Sequence, residues 1–301
     1  MKEKVYIIGG SGFIGKHLSV FLSITYDIVV FDKFIDEDYF SQYPQIQTQQ
    51  LDVISNQIDA SFDTPAFIVN LAATLVTADR NLSQIDQLMA DNIKILQNLY
   101  TRFRKQSALK LLLQFGSIEE YGNGEIPFVE DQRELPNSSY ALLKQATTNL
   151  AMVLYLNDNF PAMVVRPGNL FGKYQNEERF IAYIYKQLKQ NKTLELTLCE
   201  QKRDFIFIDD FVQIVASILE KHSAFLGQIV NVSSGNSIRL KDIVEELKSL
   251  LSSTSMIEYG KIPYRENEVM DLNCNIEKLE KLMGKKMNIS TLNRMRDFVN
   301  E

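Results

Sequence analysis

The sequence predicts an α/β fold, a doubly wound parallel sheet with helices on both faces. Three observations carry that prediction. Short apolar runs alternate with longer segments of helical period through residues 1–165. Most of the runs are nearly unbroken in apolar character, as strands buried on both faces are. A glycine-rich turn joins the first run to the first helical segment.

In chain order, "VYIIG" (Val5 to Gly9) is β-branched and aromatic and reads as the first strand. The helix that follows from Gly12 carries Phe13, Ile14, Leu18, Phe21 and Leu22 as its apolar positions. "DIVVFD" (Asp27 to Asp32) is the second strand, "IQTQQLD" (Ile46 to Asp52) a weaker third, and "AFIVNLAA" (Ala66 to Ala73) a strong fourth. A long helix is expected from about Ser83 to Lys105, with Ile85, Leu88, Met89, Ile93, Leu96 and Leu99 on one face. "LKLLLQFGS" (Leu109 to Ser117) is the fifth strand, Ser138 to Leu156 a helix, and "AMVVRP" the sixth strand.

From Arg166 the rhythm loosens. A helix from Glu178 to Gln190 leads to "LELTL", then to "RDFIFIDDF" (Arg203 to Phe211), a helix to about Lys221, and "QIVNVSSG" (Gln228 to Gly235). Helices follow at Arg239 to Leu251 and around Ile276 to Met283. Neither a repeat nor a low-complexity linker interrupts the chain, so the second half is expected as a smaller lobe interleaved with the first. The expected division is 1–165, completed by about 203–235, against 166–202 with 236–301.

Composition bounds the function. Hydrophobic residues make up 45% and charged residues 23% of 301, as in an ordinary globular protein. A net charge of −6 offers no basic field for nucleic acid or anionic lipid. Cys199, Cys274, His17 and His222 are the only cysteines and histidines, and none has metal-site spacing, so no metal is expected. No apolar stretch reaches the ~18 residues of a membrane span, and the N-terminal apolar run is too short for a signal-peptide core. A cytoplasmic protein is expected.

The stretch "IIGGSGFIGKH" holds four glycines, matching G-x-G-x-x-G at Gly10, Gly12 and Gly15 and G-x-x-G-x-x-G at Gly9, Gly12 and Gly15. Between a strand and a helix, such glycines allow a tight turn and close approach of a pyrophosphate to the helix N-terminus. Asp32 stands 17 positions beyond Gly15, at the end of the second strand. There a carboxylate accepts hydrogen bonds from the ribose hydroxyls of an adenosine. It would repel a 2′-phosphate, so NAD(H) is favoured, with NADP(H) as the other option because Lys33 is adjacent. The expectation is a Rossmann-type dinucleotide site.

"SSYALLKQATTNLA" begins a helix near Ser138 and places Tyr140 and Lys144 at i and i+4, on one face. A phenol titrates near ~10, too high for work near neutrality. A neighbouring ammonium, a nicotinamide cation and a helix N-terminus each favour the phenolate. Shifting it by three units takes about 4 kcal/mol.

These motifs together resemble the extended, nucleotide-sugar-modifying branch of the short-chain dehydrogenase/reductase superfamily (the NAD-dependent epimerase/dehydratase family). The resemblance covers nearly the whole chain and rests on "GGSGFIG", Asp32, "LDV" (Leu51 to Val53), "NLAA" (Asn70 to Ala73), "FGSIEEYG" (Phe115 to Gly122), "YALLK", "RPGNLFG" (Arg166 to Gly172) and "RDFIFIDDF". It implies that Ser117 hydrogen-bonds the reacting sugar oxygen, that Tyr140 donates or accepts the proton, and that Lys144 holds the nicotinamide ribose and lowers the Tyr pKa. It places Gly9, Gly12, Phe13, Ile14, Gly15, Asp32, Lys33, Asp52, Val53, Leu71, Ala72, Ala73 and Pro167 around the cofactor. Residues 1–165 become the cofactor domain and the second lobe the nucleotide-sugar lobe. In that lobe Asn169, Arg203 and Arg265 match positions that contact a diphosphate, and Glu268 a ribose hydroxyl. A guanidinium fork suits phosphate oxygens. A homodimer built on the helices at Ser83 to Lys105 and Ser138 to Leu156 is also implied.

The reaction is read from the stretch after Ser117. Dehydratases of dTDP-glucose carry an Asp-Glu pair where this chain has Ile118 and Glu119, whereas GDP-mannose dehydratases use only the Glu, matched by Glu119. "EQKRDFIFIDDF" and "YRENEVMDLNCNIEKLEKLMG" are similar to stretches of CDP-abequose synthase-like 4-ketoreductases. The resemblance therefore implies reduction of a nucleotide-linked 4-keto-6-deoxy sugar, with a 4-epimerase as second reading and a 4,6-dehydratase behind it. A non-catalytic cofactor sensor is the outside alternative.

Overall fold

In the computed structural model, residues 2–56, 58–59, 61–74, 84–265 and 268–300 are described. Packing divides the chain into two compact units. The first comprises Met1–Gly124, Glu130–Pro167 and Val212–Asn231, and the second Glu125–Val129, Gly168–Phe211 and Val232–Glu301. Among the described residues, no helix is long and apolar enough to cross a membrane.

The first unit is built on β1 (Lys4–Ile8), β2 (Asp27–Asp32), β3 (Gln47–Gln50), β4 (Phe67–Asn70), β5 (Leu111–Phe115) and β6 (Ala162–Pro167). They join β10 (Ile229–Val232) in a seven-stranded sheet of order β10-β6-β5-β4-β1-β2-β3. The pairings from β6 to β3 are all parallel. All residues of β4 and β5 are buried, which is why their sequences are apolar but for Asn70 and Gln114, and Asn70 Nδ2 donates to Gln114 Oε1 at 2.7 Å. β3 is the edge strand, and its four residues, QTQQ, are exposed. α1 (Phe13–Ser23), α2 (Glu37–Phe40), α3 (Ile85–Phe103) and α4 (Ser139–Asp158) lie between these strands in sequence. Ser83, the expected start of α3, lies outside the described residues. Leu96, Leu99 and Phe103 of α3 and Ala151 of α4 pack on Tyr6, Ile68, Leu112 and Val164 of the sheet. Each such large apolar side chain contributes about 1.5–3 kcal/mol by leaving water.

Strand order reverses at β1, with β2 on one side and β4 on the other. In an open parallel sheet that reversal opens a crevice at the carboxyl ends of the strands, where ligands bind.

The second unit has a different sheet. β9 (Lys202–Phe207) pairs with β7 (Asn169–Phe171), β11 (Ser237–Arg239) and β13 (Asp271–Leu272). β8 (Leu194–Leu196) pairs in parallel with β12 (Ile257–Tyr259). α5 (Phe180–Lys189), α8 (Leu240–Leu250), α9 (Glu277–Met283) and α10 (Thr291–Asn300) complete it. "RDFIFIDDF" thus opens as the central strand of this sheet and continues as α6 (Ile208–Glu220), and α7 (His222–Phe225) follows. Asp204, fully buried on β9, accepts hydrogen bonds from Ser234 N (3.0 Å), Gly235 N (3.1 Å) and Cys274 N (3.3 Å). One carboxylate thereby ties together segments seventy residues apart. Burial pushes that carboxyl up, and the hydrogen bonds pull it back.

Candidate active site

The glycine turn leaves β1 at Gly9, whose φ of +78° is left-handed. A Cβ there would lie 2.8 Å from Ala72 N, so the turn rests on the backbone that follows β4. A Cβ on Gly15 would lie 2.4 Å from Gly10 Cα, because α1 crosses the turn in close contact. Gly12 differs. A Cβ there would meet only Gly9 O, at an ordinary 3.6 Å. Among the described residues nothing excludes a side chain at Gly12, so the space beside it suits a ligand. Gly12 is also the N-cap of α1 and supplies no side-chain hydrogen bond, leaving the first-turn N–H groups of Phe13 and Ile14 without a side-chain cap. Open space at an uncapped, positive helix end fits a pyrophosphate.

Asp32 ends β2 facing this turn. Its Oδ2 accepts from Ser11 N at 2.9 Å and its Oδ1 from Phe34 N at 3.2 Å, which fixes the carboxylate. Lys33 Nζ lies 3.6 Å from Asp52 Oδ2. Asp52 also accepts from Ile54 N at 3.0 Å, and Asn98 of α3 donates to Val53 O at 2.6 Å. Leu71, Ala72 and Ala73 follow β4 and are half-buried. Asn92 clamps the next residue, accepting from Thr74 N at 3.2 Å and donating to Thr74 O at 2.9 Å. The expected cofactor residues from Gly9 to Ala73 therefore gather at the carboxyl ends of β1, β2, β3 and β4, around the reversal of strand order. Pro167 ends β6.

Ser117, Tyr140 and Lys144 lie in the same unit. Ser117 follows β5 and caps a short 3-10 turn, Ile118–Tyr121, its hydroxyl accepting from Glu119 N at 3.2 Å. Ser138 caps α4 by accepting from Ala141 N at 3.1 Å, which sets Tyr140 and Lys144 in the first turns of the helix. Lys144 Nζ sits 6.0 Å from the Tyr140 ring centre and donates to Phe115 O at 3.0 Å, two residues before Ser117. The ammonium thus links the end of β5 to the tyrosine. Burial pushes the Lys144 ammonium down to about 8, with Glu120 pulling it the other way. Glu119, the other expected acid, is exposed.

Sequence reasoning passed over the groups beneath this trio. Glu120 is fully buried, and its Oε1 accepts from Ser117 N at 2.8 Å and from Thr148 Oγ1 at 3.0 Å. Its Oε2 accepts from Arg166 Nε at 2.9 Å. Arg166, also fully buried, reaches Glu134 at 2.6 Å and lies 4.5 Å over the Tyr121 ring. The Tyr121 hydroxyl donates to Asn231 Oδ1 at 2.7 Å. The signal was present: Ser117 with Glu120 is an S-x-x-E capping box, which marks position 120 as turned inward.

In the second unit, Arg203 on β9 donates to Glu268 Oε1 at 2.6 Å, both side chains largely buried. Burial pushes the Arg203 guanidinium down, and Glu268 pulls it back. Arg265 is exposed, and its carbonyl accepts from Glu268 N at 3.1 Å. Asn169 on β7 donates to Asp204 O at 3.3 Å. The four expected substrate residues are thus brought together as one pair, Arg203 with Glu268, beside Arg265 in sequence, while Asn169 is anchored by its own bond to β9.

Residues 5–233 match the model of the NAD dependent epimerase/dehydratase family. The chain belongs to that family. CDP-abequose synthase of Salmonella muenchen is 34% identical over 118 residues, 39% of this chain and 40% of that one. CDP-abequose synthase of Salmonella typhimurium is 26% identical over 295 residues, 96% of this chain and 94% of that one. The dTDP-4-dehydro-6-deoxyglucose reductase of Escherichia coli is 25% identical over 272 residues, covering 86% and 85%. Among solved structures, UDP-glucuronic acid 4-epimerase from Bacillus cereus, in complex with UDP-glucuronic acid and NAD, superposes with a TM-score of 0.87 at 20% identity, covering 99% of both chains. That likeness concerns the fold.

Proposed function

We propose that the protein reduces the 4-keto group of a nucleotide-linked 4-keto-6-deoxy sugar, in the biosynthesis of deoxysugars for cell-surface polysaccharides such as the O-antigen of lipopolysaccharide. The observation that carries this reading is the likeness, over most of the chain, to a protein named as a 4-dehydro-6-deoxy sugar reductase. The Ser117, Tyr140 and Lys144 side chains suit the chemistry. The dinucleotide, NADH in preference to NADPH, would lie along Gly9 to Gly15 and Asp32, with Lys144 at its nicotinamide ribose, and supplies the hydride for C4. Tyr140 gives its proton to the sugar oxygen as negative charge develops there. The Ser117 hydroxyl donates to that same oxygen and stabilises it. The Lys144 ammonium, one turn along α4, favours the phenolate left behind. The second unit would hold the nucleotide, with Arg203 and Arg265 at the diphosphate, Asn169 beside them and Glu268 at the ribose. A homodimer through α3 and α4 belongs to the same reading, and α4 exposes Leu142, Val153 and Leu156.

A 4-epimerase is the second reading, favoured by Asp32. The carboxylate suits NAD, which an epimerase retains through its cycle, whereas many reductases of this kind draw on NADPH. Dehydration has less support, since Ile118 occupies one acid position and Glu119 is exposed. The test mixes purified protein with NADH or NADPH and a panel of nucleotide-linked 4-keto-6-deoxy sugars, following the nicotinamide absorbance band. Consumption with one sugar establishes the reductase. No consumption with any, together with co-purified NAD and interconversion of unreduced sugars, establishes the epimerase instead.

A further inference from the structure

Tyr140, Lys144 and Thr148 are spaced by four along α4 and form one stripe of the helix. The Thr148 hydroxyl touches Glu120 at 3.0 Å, so the Glu120 carboxylate packs against the same stripe that carries the tyrosine and the lysine. The same carboxylate oxygen takes the Ser117 N–H at 2.8 Å. One buried side chain therefore touches the segment of each of the three reacting groups. We propose that Glu120 is a positioning residue: it fixes the Ser117 hydroxyl relative to α4 and provides the negative charge that keeps Lys144 an ammonium. This rests on the reading in which Ser117, Tyr140 and Lys144 perform the reaction.

Both Glu120 oxygens face donors, Ser117 N–H and Thr148 O–H on one side and Arg166 on the other, so the site fits the ionised acid. Burial opposes that form, and Arg166 offsets the opposition. Among the described residues, the titratable groups at this site come from four elements. The 3-10 turn contributes Glu120 and Tyr121, β6 contributes Arg166, the stretch before α4 contributes Glu134, and α4 contributes Tyr140 and Lys144. Among the described residues, Glu120 and Glu134 both pair with Arg166, and the Glu120 charge also favours the Lys144 ammonium. Removing either negative charge leaves Arg166 in excess and disfavours a second cation at Lys144. Glu119 on the same turn is exposed and screened by water.

The experiment titrates Lys144 directly in the full-length protein labelled with 13Cε-lysine, the resonance being assigned by its loss in Lys144→Arg. In Glu120→Gln the midpoint is expected to fall by on the order of one pH unit. The alkaline limb of kcat should move down with it, and kcat at its optimum should fall roughly 10- to 100-fold as Ser117 loosens. Glu134→Gln, at a side chain with 21% exposure, should move the midpoint in the same direction by less, and it serves if Glu120→Gln does not fold. A lower Tm with an unmoved Lys144 midpoint in the variants that fold would make Glu120 a purely structural residue and overturn the proposal. The titration needs no sugar. If no 4-keto sugar is reduced, the functional reading fails while this one is still decided by the lysine resonance.

Discussion

Lys144 shows how a side chain suited to chemistry works against stability. Its ammonium is buried and donates to Phe115 O at 3.0 Å, and burial pushes its pKa from 10.5 down to about 8. Between those two values the unfolded chain binds the proton and the folded chain does not, so stability rises with pH across that window. Below pH 8 the buried charge costs about 3 kcal/mol relative to an exposed lysine. Lys144→Met removes that cost and the bond to Phe115, worth about 1 kcal/mol. The variant should therefore melt higher than wild type at pH 7, by roughly 1 to 3 °C, with the difference shrinking as pH rises from 8 to 10.5. Its turnover of nucleotide sugar should be lost. Calorimetry across that pH range checks the sign, and a variant that melts lower at pH 7 contradicts it. Tyr140→Phe isolates the proton itself. With the phenol gone, kcat should drop about 10²- to 10⁴-fold while NADH affinity changes little, as measured by fluorescence titration. A cofactor sensor would be indifferent to that change.

At the scale of elements, the glycine turn separates what the fold needs from what the ligand needs. Gly15→Ala drives a Cβ into the Gly10 backbone at 2.4 Å, which only a shift of α1 relieves. It should destabilise the protein by about 3 kcal/mol or more, with or without cofactor. Among the described residues, Gly12→Ala meets nothing closer than 3.6 Å. It changes an N-cap, and its cost to the cofactor-free protein should stay within about 1 kcal/mol. Yet its methyl group stands where the pyrophosphate would approach, so NADH affinity should fall more than about tenfold. Equal NADH affinity in Gly12→Ala and wild type would remove the pyrophosphate from that position. The turn was legible in the sequence because strand, glycines and helix are contiguous. Tyr140 and Lys144 were legible for the same reason, being one helical turn apart. The Glu120–Arg166 pair spans 46 residues, and no local period reports that a carboxylate and a guanidinium meet behind a strand. Strands of two or three half-buried residues, such as β11 and β13, were equally unreadable. Their pairing with β9 is decided by tertiary packing, not by their own alternation. α10 was readable and passed over: its Met295 and Phe298 are buried at helical spacing.

At the scale of the whole molecule, cofactor choice is a balance between a local carboxylate and the field of a chain with net charge −6. Both NADH and NADPH stabilise by mass action, about 2.7 kcal/mol when free ligand is 100 times its Kd. The 2′-phosphate of NADPH adds negative charge where Asp32 is held rigidly by Ser11 and Phe34, and the neighbouring Lys33 already faces Asp52 at 3.6 Å. At equal concentration, NADH should therefore raise the melting temperature more than NADPH does. Two controls separate the local from the global cause. Asp32→Asn keeps the net charge within one unit and the hydrogen-bonding shape, so it should narrow the difference only if Asp32 is responsible. Raising the ionic strength to 1 M shortens the screening length to about 3 Å, which suppresses long-range repulsion first and contact repulsion least. A difference that vanishes in Asp32→Asn but survives salt assigns selectivity to one side chain at the end of β2. Equal melting shifts for the two cofactors in the wild type would instead detach Asp32 from the choice, and with it the argument that favours NAD(H).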